Sequence, residues 1–157
     1  MMKDTLRAVL ATSGASGEET RISAAIQAMV GTAADEIRTD AMGNLICVKH
    51  GQPGGKRILF CAHMDQIGLI VIDADEKGFL CVHAVGGVSA QISKGRMVVF
   101  PSGVQGVVFA KPSKEALQIK DLYVDIGASS REEALAKVDI GEVCVYRFEL
   151  AEMGDFV

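Results

Sequence analysis

A histidine and an aspartate stand two residues apart in Cys61-Ala62-His63-Met64-Asp65-Gln66-Ile67-Gly68, at the end of the largely apolar run Arg57-Ile58-Leu59-Phe60-Cys61-Ala62. The run is short, partly β-branched or aromatic, and bounded by Gly54-Gly55 on one side and Gly68 on the other. That pattern predicts a buried strand, with His63 where the strand leaves the core. An imidazole there can bind a metal through one ring nitrogen, while a neighbouring carboxylate accepts a hydrogen bond from the other and fixes the tautomer. The rival reading is a hydrogen-bonded histidine at a strand end, and His-x-Asp spacing alone does not separate the two.

The elements around this pair must position it. From Lys3 to about Val30, Leu6, Val9 and Leu10 and then Ile22, Ile26 and Met29 recur at helical spacing, so two amphipathic helices flank the turn Thr12–Gly17. Ser16 with Glu19 three residues on predicts a capping box on the second helix. The glycine-bearing turn is not a phosphate loop, because it follows no strand and lacks the Lys-Ser/Thr ending. From Asp35 the period becomes two: Glu36–Thr39 and Asn44–Lys49 read as strands joined by Asp40-Ala41-Met42-Gly43, and Gln52–Gly55 turns into the strand ending at His63. Beyond Asp65, short strands are predicted at Leu69–Ile72, Phe79–His83, Arg96–Phe100, Val104–Phe109 and Val143–Phe148, a texture that suggests a barrel or sandwich. One helix interrupts them, opened by the capping-box signature Ser130-Arg131-Glu132-Glu133.

The chain has 157 residues, 49% apolar and 23% charged, enough for a core and no case for disorder. A net charge of −4 without a basic run argues against a nucleic-acid partner. No apolar stretch is long enough to span a membrane, and Met1-Met2-Lys3-Asp4-Thr5 does not open a signal peptide. Cys47, Cys61, Cys81 and Cys144 show no C-x-x-C spacing. They are expected to be buried, reduced thiols of a cytoplasmic protein.

Ala62-His63-Met64-Asp65-Gln66-Ile67-Gly68 resembles the metal-site entry of the tetrahedral aminopeptidases, the cellulase-M-like proteins and the glutamyl aminopeptidases, the dinuclear metallo-aminopeptidases of peptidase family M42. Four more stretches fall in that family's order: Ser13–Glu19, Asp40–Ile46, the pair Gly86-Gly87, and Asp121–Ser130 with Glu132-Glu133-Ala134 behind it. The resemblance implies an α/β catalytic-domain N-terminal portion of two helices and three strands over residues 1–66. An all-β barrel-like dimerisation domain with one short helix follows over 67–157. It also implies His63 as a metal ligand and Asp65 as the supporting carboxylate, the candidate catalytic residue. Two divalent metal ions, zinc or cobalt, would serve the complete enzyme in removing N-terminal amino acids from short peptides, and the family forms dimers that build tetrahedral dodecamers.

Family members run to more than twice this length, and their bridging Asp, catalytic Glu and further ligands lie in stretches this sequence does not include. The expectation is therefore an N-terminal fragment, inactive alone. Gln66 stands where the family commonly has Glu, and the stretch Lys111-Pro112-Ser113-Lys114 lacks a His that often follows the Pro. His83 reads as a barrel-face residue, His50 as a solvated loop residue, and Asp121 and Asp125 as turn or hydrogen-bonding residues. The alternatives are a non-catalytic β-barrel oligomerisation module and an endoglucanase.

Overall fold

The computed structural model of the chain describes residues 2–112, 115–151 and 153–154. The predicted helices form as α1 (Met2–Ala11) and α2 (Thr20–Val30), and the first two strands as β1 (Glu36–Thr39) and β2 (Leu45–Val48). β1 and β2 pair antiparallel, Ile37 opposite Cys47 and Arg38 opposite Ile46, in a sheet of two strands only. This layer is thinly packed. α1 buries none of its residues and α2 only Ile22, so the apolar stripes that make the helices amphipathic face little that is apolar.

The third expected strand is not present. Residues 57–62 have no regular secondary structure, and Ile58, Leu59 and Phe60 are 75%, 84% and 90% exposed. The physical reason is pairing: a strand exists through its ladder, and among the described residues no backbone–backbone hydrogen bond involves residues 56–65.

The core lies in the second part of the chain. β3 (Gly68–Ala74), β4 (Leu80–Val85), β5 (Met97–Val99), β6 (Gln105–Ala110), β7 (Leu122–Asp125) and β8 (Val143–Tyr146) close an antiparallel barrel in the order β3-β4-β7-β6-β5-β8. Alternation places Leu69, Val71, Leu80, Val82, Val108, Leu122 and Val124 in one buried cluster with Phe100, Cys144 and Tyr146. The register agrees, with Val71 opposite Val82, Leu69 opposite Cys144 and Val108 opposite Val124. A bulge between Val71 and Asp73 resets the alternation so that Ala74 is buried again while Ile72 is exposed. β8 is buried on both faces because Val143 and Val145 pack outward against Ala15.

Among the described residues two α-helices, not one, interrupt the strands: the short α3 (Ala90–Ser93) and α4 (Arg131–Lys137). α3 is a single turn with too few residues to show a period. It is held by Ser93, 1% exposed, whose hydroxyl donates to the Ser89 carbonyl and meets the Tyr146 hydroxyl, each at 2.6 Å. α4 is capped at Ser130, whose Oγ accepts from Glu133 N at 3.2 Å. The Glu133 carboxylate does not return to the cap residue. It accepts from Ser129 N and Oγ and from Lys137 Nζ, and Lys137 first and Ser129 next hold its pKa down at about 2. Arg131 anchors α4 to the bulge, pairing with Asp73 at 2.6 Å and donating to the Ala74 carbonyl.

The thiols correct the expectation of uniform burial. Cys144 alone is buried, and desolvation pushes its thiol up to about 12. Cys81 is half-buried, while Cys47 and Cys61 are exposed, since the thin sheet and the unpaired run offer them no second layer. Asp121 and Asp125 make local turn bonds, to Gln118 N and Gly127 N respectively, each at 2.9 Å. Ser113 and Lys114 of the Pro112 stretch lie outside the described residues.

Gly68 opens β3 where β8 crosses close by. A Cβ there would sit 2.5 Å from the Cys144 carbonyl oxygen and 2.9 Å from Val143 Cγ1. Gly68→Ala is expected to destabilise the barrel by about 1–3 kcal/mol through overpacking. Gly51→Ala, where a Cβ meets nothing within 4 Å, serves as the near-neutral control. Urea unfolding midpoints of the two variants check this, and equal midpoints would contradict it.

Candidate functional site

The loop after α1 and the segment after residue 62 meet side by side. Gly14 permits the approach: a Cβ on it would lie 2.4 Å from Ile22 Cγ2, so only glycine lets the loop lie down on the start of α2. From there Gln66 N donates to the Gly14 carbonyl at 2.7 Å, Ala15 and Gln66 form a parallel bridge, and Gln66 Nε2 reaches the Thr12 carbonyl at 3.4 Å. Gln66 thus serves as a splint between the two segments.

This contact delivers Ser16 to Asp65. The Ser16 hydroxyl donates to Asp65 Oδ2, although the capping-box pattern had reserved it for the start of α2. The N-cap position of α2 is Glu19, with no side-chain cap, and the Glu19 carboxylate accepts from Gly17 N at 2.8 Å. Asp65 Oδ1 lies 3.1 Å from His63 Nδ1, and the Asp65 carbonyl oxygen is also 3.1 Å from it. Both atoms facing Nδ1 are acceptors, so the neutral ring carries its proton on Nδ1 and its lone pair on Nε2. Nε2 has no hydrogen-bond partner among the described residues, and the imidazole is 87% exposed. The Ser16 hydroxyl, first, and His63 hold the Asp65 carboxyl below the usual carboxylate range, against the opposing effect of partial burial.

His63 and Asp65 line a cleft of about 490 Å³. One wall is α2, through Glu19, Ser23 and Gln27, and the other is the β1–β2 turn, through Thr39, Met42 and Asn44. The turn is stiffened by Asp40, which accepts from Met42 N at 2.9 Å, Asn44 N at 3.0 Å and Asn44 Nδ2 at 2.9 Å. Met42, 86% exposed, stands at the cleft with an uncovered thioether. Three of the sequence stretches, Ser13–Glu19, Asp40–Ile46 and Ala62–Gly68, therefore converge on one site. The other two, Gly86-Gly87 and Asp121–Ser130, belong to the barrel.

The remaining histidines stay apart. His50 Nε2 is paired with Glu36 Oε1 at 2.9 Å on the small sheet, and His83 lies on the outer face of β4. Ser16 and the cleft residues Met42 and Asn44 were not singled out from sequence as site residues. The sequence signal for the turn is Asp40 with Gly43-Asn44, whereas nothing in the local pattern of Ser16 points to a partner 49 residues away.

An imidazole that lines a cleft and has one ring nitrogen unpartnered can coordinate a cation through that nitrogen. The donors here do not make a metal centre: no group of three His, Cys, Asp or Glu among the described residues could hold an ion. A catalytic zinc typically takes about three protein ligands. The chain presents one donor and the carboxylate that orients it.

Residues 43–156 match the family model for the M42 glutamyl aminopeptidases. A curated protein from Acetivibrio thermocellus named "Putative aminopeptidase" is 44% identical over 159 residues, a stretch that covers 99% of this chain and 48% of that protein. Among solved structures, the TET aminopeptidase from the marine sediment archaeon Thaumarchaeota archaeon SCGC AB-539-E09 superposes with a TM-score of 0.88 at 27% identity, over 98% of this chain and 47% of its own. The Pyrococcus horikoshii TET1 peptidase, which can assemble into a tetrahedron or a large octahedral shell, superposes with a TM-score of 0.80 at 35% identity, over 94% and 47%. The chain spans about half the length of the curated relative and of the two solved chains.

Removing the Ser16 donor should release Asp65. In Ser16→Ala the Asp65 pKa is expected to rise toward the ordinary value of about 4, whereas Ser16→Thr keeps the hydroxyl and the low value. Because the folded-state pKa is depressed, this carboxylate stabilises the fold above its unfolded pKa. That contribution is lost as the pH falls through the folded pKa, and less is lost in the alanine variant. Carbon-13 titration of the Asp65 carboxyl reads the shift, and identical curves for Ser16→Ala and the wild type would refute the arrangement.

Proposed function

The chain belongs to the M42 glutamyl aminopeptidase family, and from that membership we propose that it forms the N-terminal part of a metal-dependent aminopeptidase acting on short peptides. The observation that carries this reading is the Ser16–Asp65–His63 arrangement at the cleft, in which Asp65 takes His63 Nδ1 and leaves Nε2 without a partner among the described residues. In it His63 is a ligand of one of two divalent metals, zinc or cobalt, and Asp65 fixes its tautomer, with Ser16 holding the carboxylate. The other ligands and the general base come from the region that the relatives carry beyond the stretch matched by this chain. No step of hydrolysis is assigned to the residues present, because a single donor cannot hold the metals.

In this reading residues 1–66 belong to the catalytic domain and residues 67–157 to an inserted barrel that joins copies of the protein, first as dimers and then as larger shells. The assembling behaviour of the P. horikoshii peptidase supports the second part. No helix among the described residues is long and apolar enough to cross a membrane, and we assign the protein to the cytoplasm. An endoglucanase activity is less well supported. The two carboxylates of the cleft, Glu19 and Asp65, are each committed to local hydrogen bonds, and Asp65 is shifted toward ionisation rather than toward the protonated form a glycosidase acid requires.

The isolated chain supplied with zinc or cobalt is expected to release no amino acids from peptides, since groups that act as a unit lose nearly all their acceleration when most are absent. It should bind these ions weakly, and His63→Ala should weaken binding further by roughly tenfold or more, while His83→Ala should not. Peptide turnover by the chain alone, or tight binding unchanged in His63→Ala, would overturn the assignment. Light scattering of the chain at high concentration checks the assembly, with a strict monomer counting against it.

A further inference from the structure

Neither the pair Gly86-Gly87 nor the short α3 has a part in the site at His63, yet both border a second recess, of about 250 Å³, on the barrel. Its walls are largely apolar: Ile67, Ile92, Tyr146 and Phe148. Gly86, at φ 77°, lets the chain turn where a Cβ would lie 3.0 Å from Ile67 Cγ2. A single cation lines this recess. The guanidinium of Arg96 stands over the rings of Tyr146 and Phe148, 5.7 and 5.6 Å from their centroids, within the range of cation–π attraction. No carboxylate lines the recess, and Glu149, which follows Phe148, is taken by Arg147 at 2.9 Å. Among the described residues the Arg96 guanidinium therefore has rings beside it and no hydrogen-bond or ion-pair partner.

We propose that this recess binds the C-terminal residue of a peptide, with Arg96 on the free carboxylate and an apolar side chain against Ile67, Ile92 and Phe148. A guanidinium over ring faces keeps its N–H donors for a planar anion, and a carboxylate takes two of them at once. The donor is in place before a ligand arrives. Arg96 N donates to the Ser93 carbonyl at 3.0 Å and its carbonyl accepts from Val108 N at 2.9 Å, while Ser93 Oγ meets the Tyr146 hydroxyl at 2.6 Å and holds that ring. Volume limits the occupant: small-molecule sites usually begin at about 300 Å³, so one residue suits the recess and a nucleotide does not. Ser89 also lines it, and its hydroxyl caps no helix N–H, which leaves it for the amide of the bound residue. A plain carboxylic acid offers that hydroxyl no amide. Arg96 repels a cation, and a neutral apolar group would take water from the guanidinium without replacing its hydrogen bonds. Ile67 stands two residues after Asp65, so the occupant lies against the segment that carries the cleft pair. The inference rests on the barrel and does not require the aminopeptidase reading.

The test titrates the nitrogen-15-labelled chain with N-acetyl-leucine and follows its amide resonances. The amides of Ile67, Ser89, Ile92 and Arg96 should shift saturably, with those of β7 unmoved. N-acetyl-leucinamide, which lacks the charge, should bind weaker by roughly tenfold or more. 4-Methylpentanoate keeps the carboxylate and the branched stem without the amide, and should bind weaker by about threefold or more. Arg96→Lys, which keeps the charge and loses the fork, should weaken N-acetyl-leucine by roughly tenfold, and Arg96→Met should abolish its binding. Ile92→Asp, which sets a carboxylate at a wall position 69% exposed, should abolish binding too and covers the case in which Arg96→Met does not fold. No saturable shift, equal affinity for the acid and its amide, or undiminished binding by Arg96→Lys or Ile92→Asp would each overturn the proposal. Equal affinity for 4-methylpentanoate would give the recess to simple carboxylic acids and overturn the peptide terminus. Shifts of Ile67 and Ile92 that arise on concentrating the chain without ligand would give it to a second copy and overturn it as well.

Discussion

The structure turns on the contact between the Ser13–Ser16 loop and Gln66. On one side the bond from Gln66 N to the Gly14 carbonyl brings Ser16 within reach of Asp65 and so fixes the imidazole of His63. On the other side Ala15, 2% exposed, packs on Val143 and Val145 of β8 and seats the loop against the barrel wall. Three consecutive residues therefore join site and scaffold. A side chain on Gly14 would strike Ile22 and lift the loop from both partners at once. The short Ser16–Asp65–His63 chain depends on a tertiary joint rather than on the rigidity of its own segment, which has no regular structure.

The two parts of the chain satisfy their polar groups in different ways. The barrel closes on itself, so every strand has two neighbours and no edge is presented to solvent. Among the described residues no buried side-chain nitrogen or oxygen lacks a partner, and the one buried polar residue, Ser93, is satisfied by Ser89 and Tyr146. The first part has the opposite character: a two-stranded sheet, helices with little buried, and an apolar run open to water. Isolated two-stranded sheets are marginal in water, so the turn at Asp40 and the bond of Asp35 to Lys49 carry more of that sheet's order than burial does.

What could be read from sequence follows the same division. Barrel strands such as Leu69–Ile72 and Val104–Phe109 were legible because they are short runs rich in β-branched and aromatic residues between turn residues. β7 was missed because Leu122-Tyr123-Val124 between two aspartates is too short to show a period, and its strand character comes from filling the gap between β4 and β6. The composition of the Arg57–Ala62 run predicts a buried strand, yet the run is open to water, since burial requires a partner that composition cannot supply. His63 and Asp65 were legible as a pair. Their tautomer and their link to Ser16 were not, because these arise from the packing of segments far apart in the chain, and the same competition took Ser16 from its predicted helix cap.

Closure of the barrel also constrains the order in which the molecule can form. The hairpins β3–β4 and β5–β6 join neighbours in sequence, but the seam that seals the sheet pairs Leu69 with Cys144 and Ile70 with Val143. During synthesis that seam cannot exist until β8 has left the ribosome, and until then β3 is an edge. Contacts of such sequence separation slow folding far more than they weaken the folded state. The first residue of the seam is Gly68, two residues after the Gln66 bridge to Ala15, so the joint that positions His63 reaches its final form only when β8 arrives.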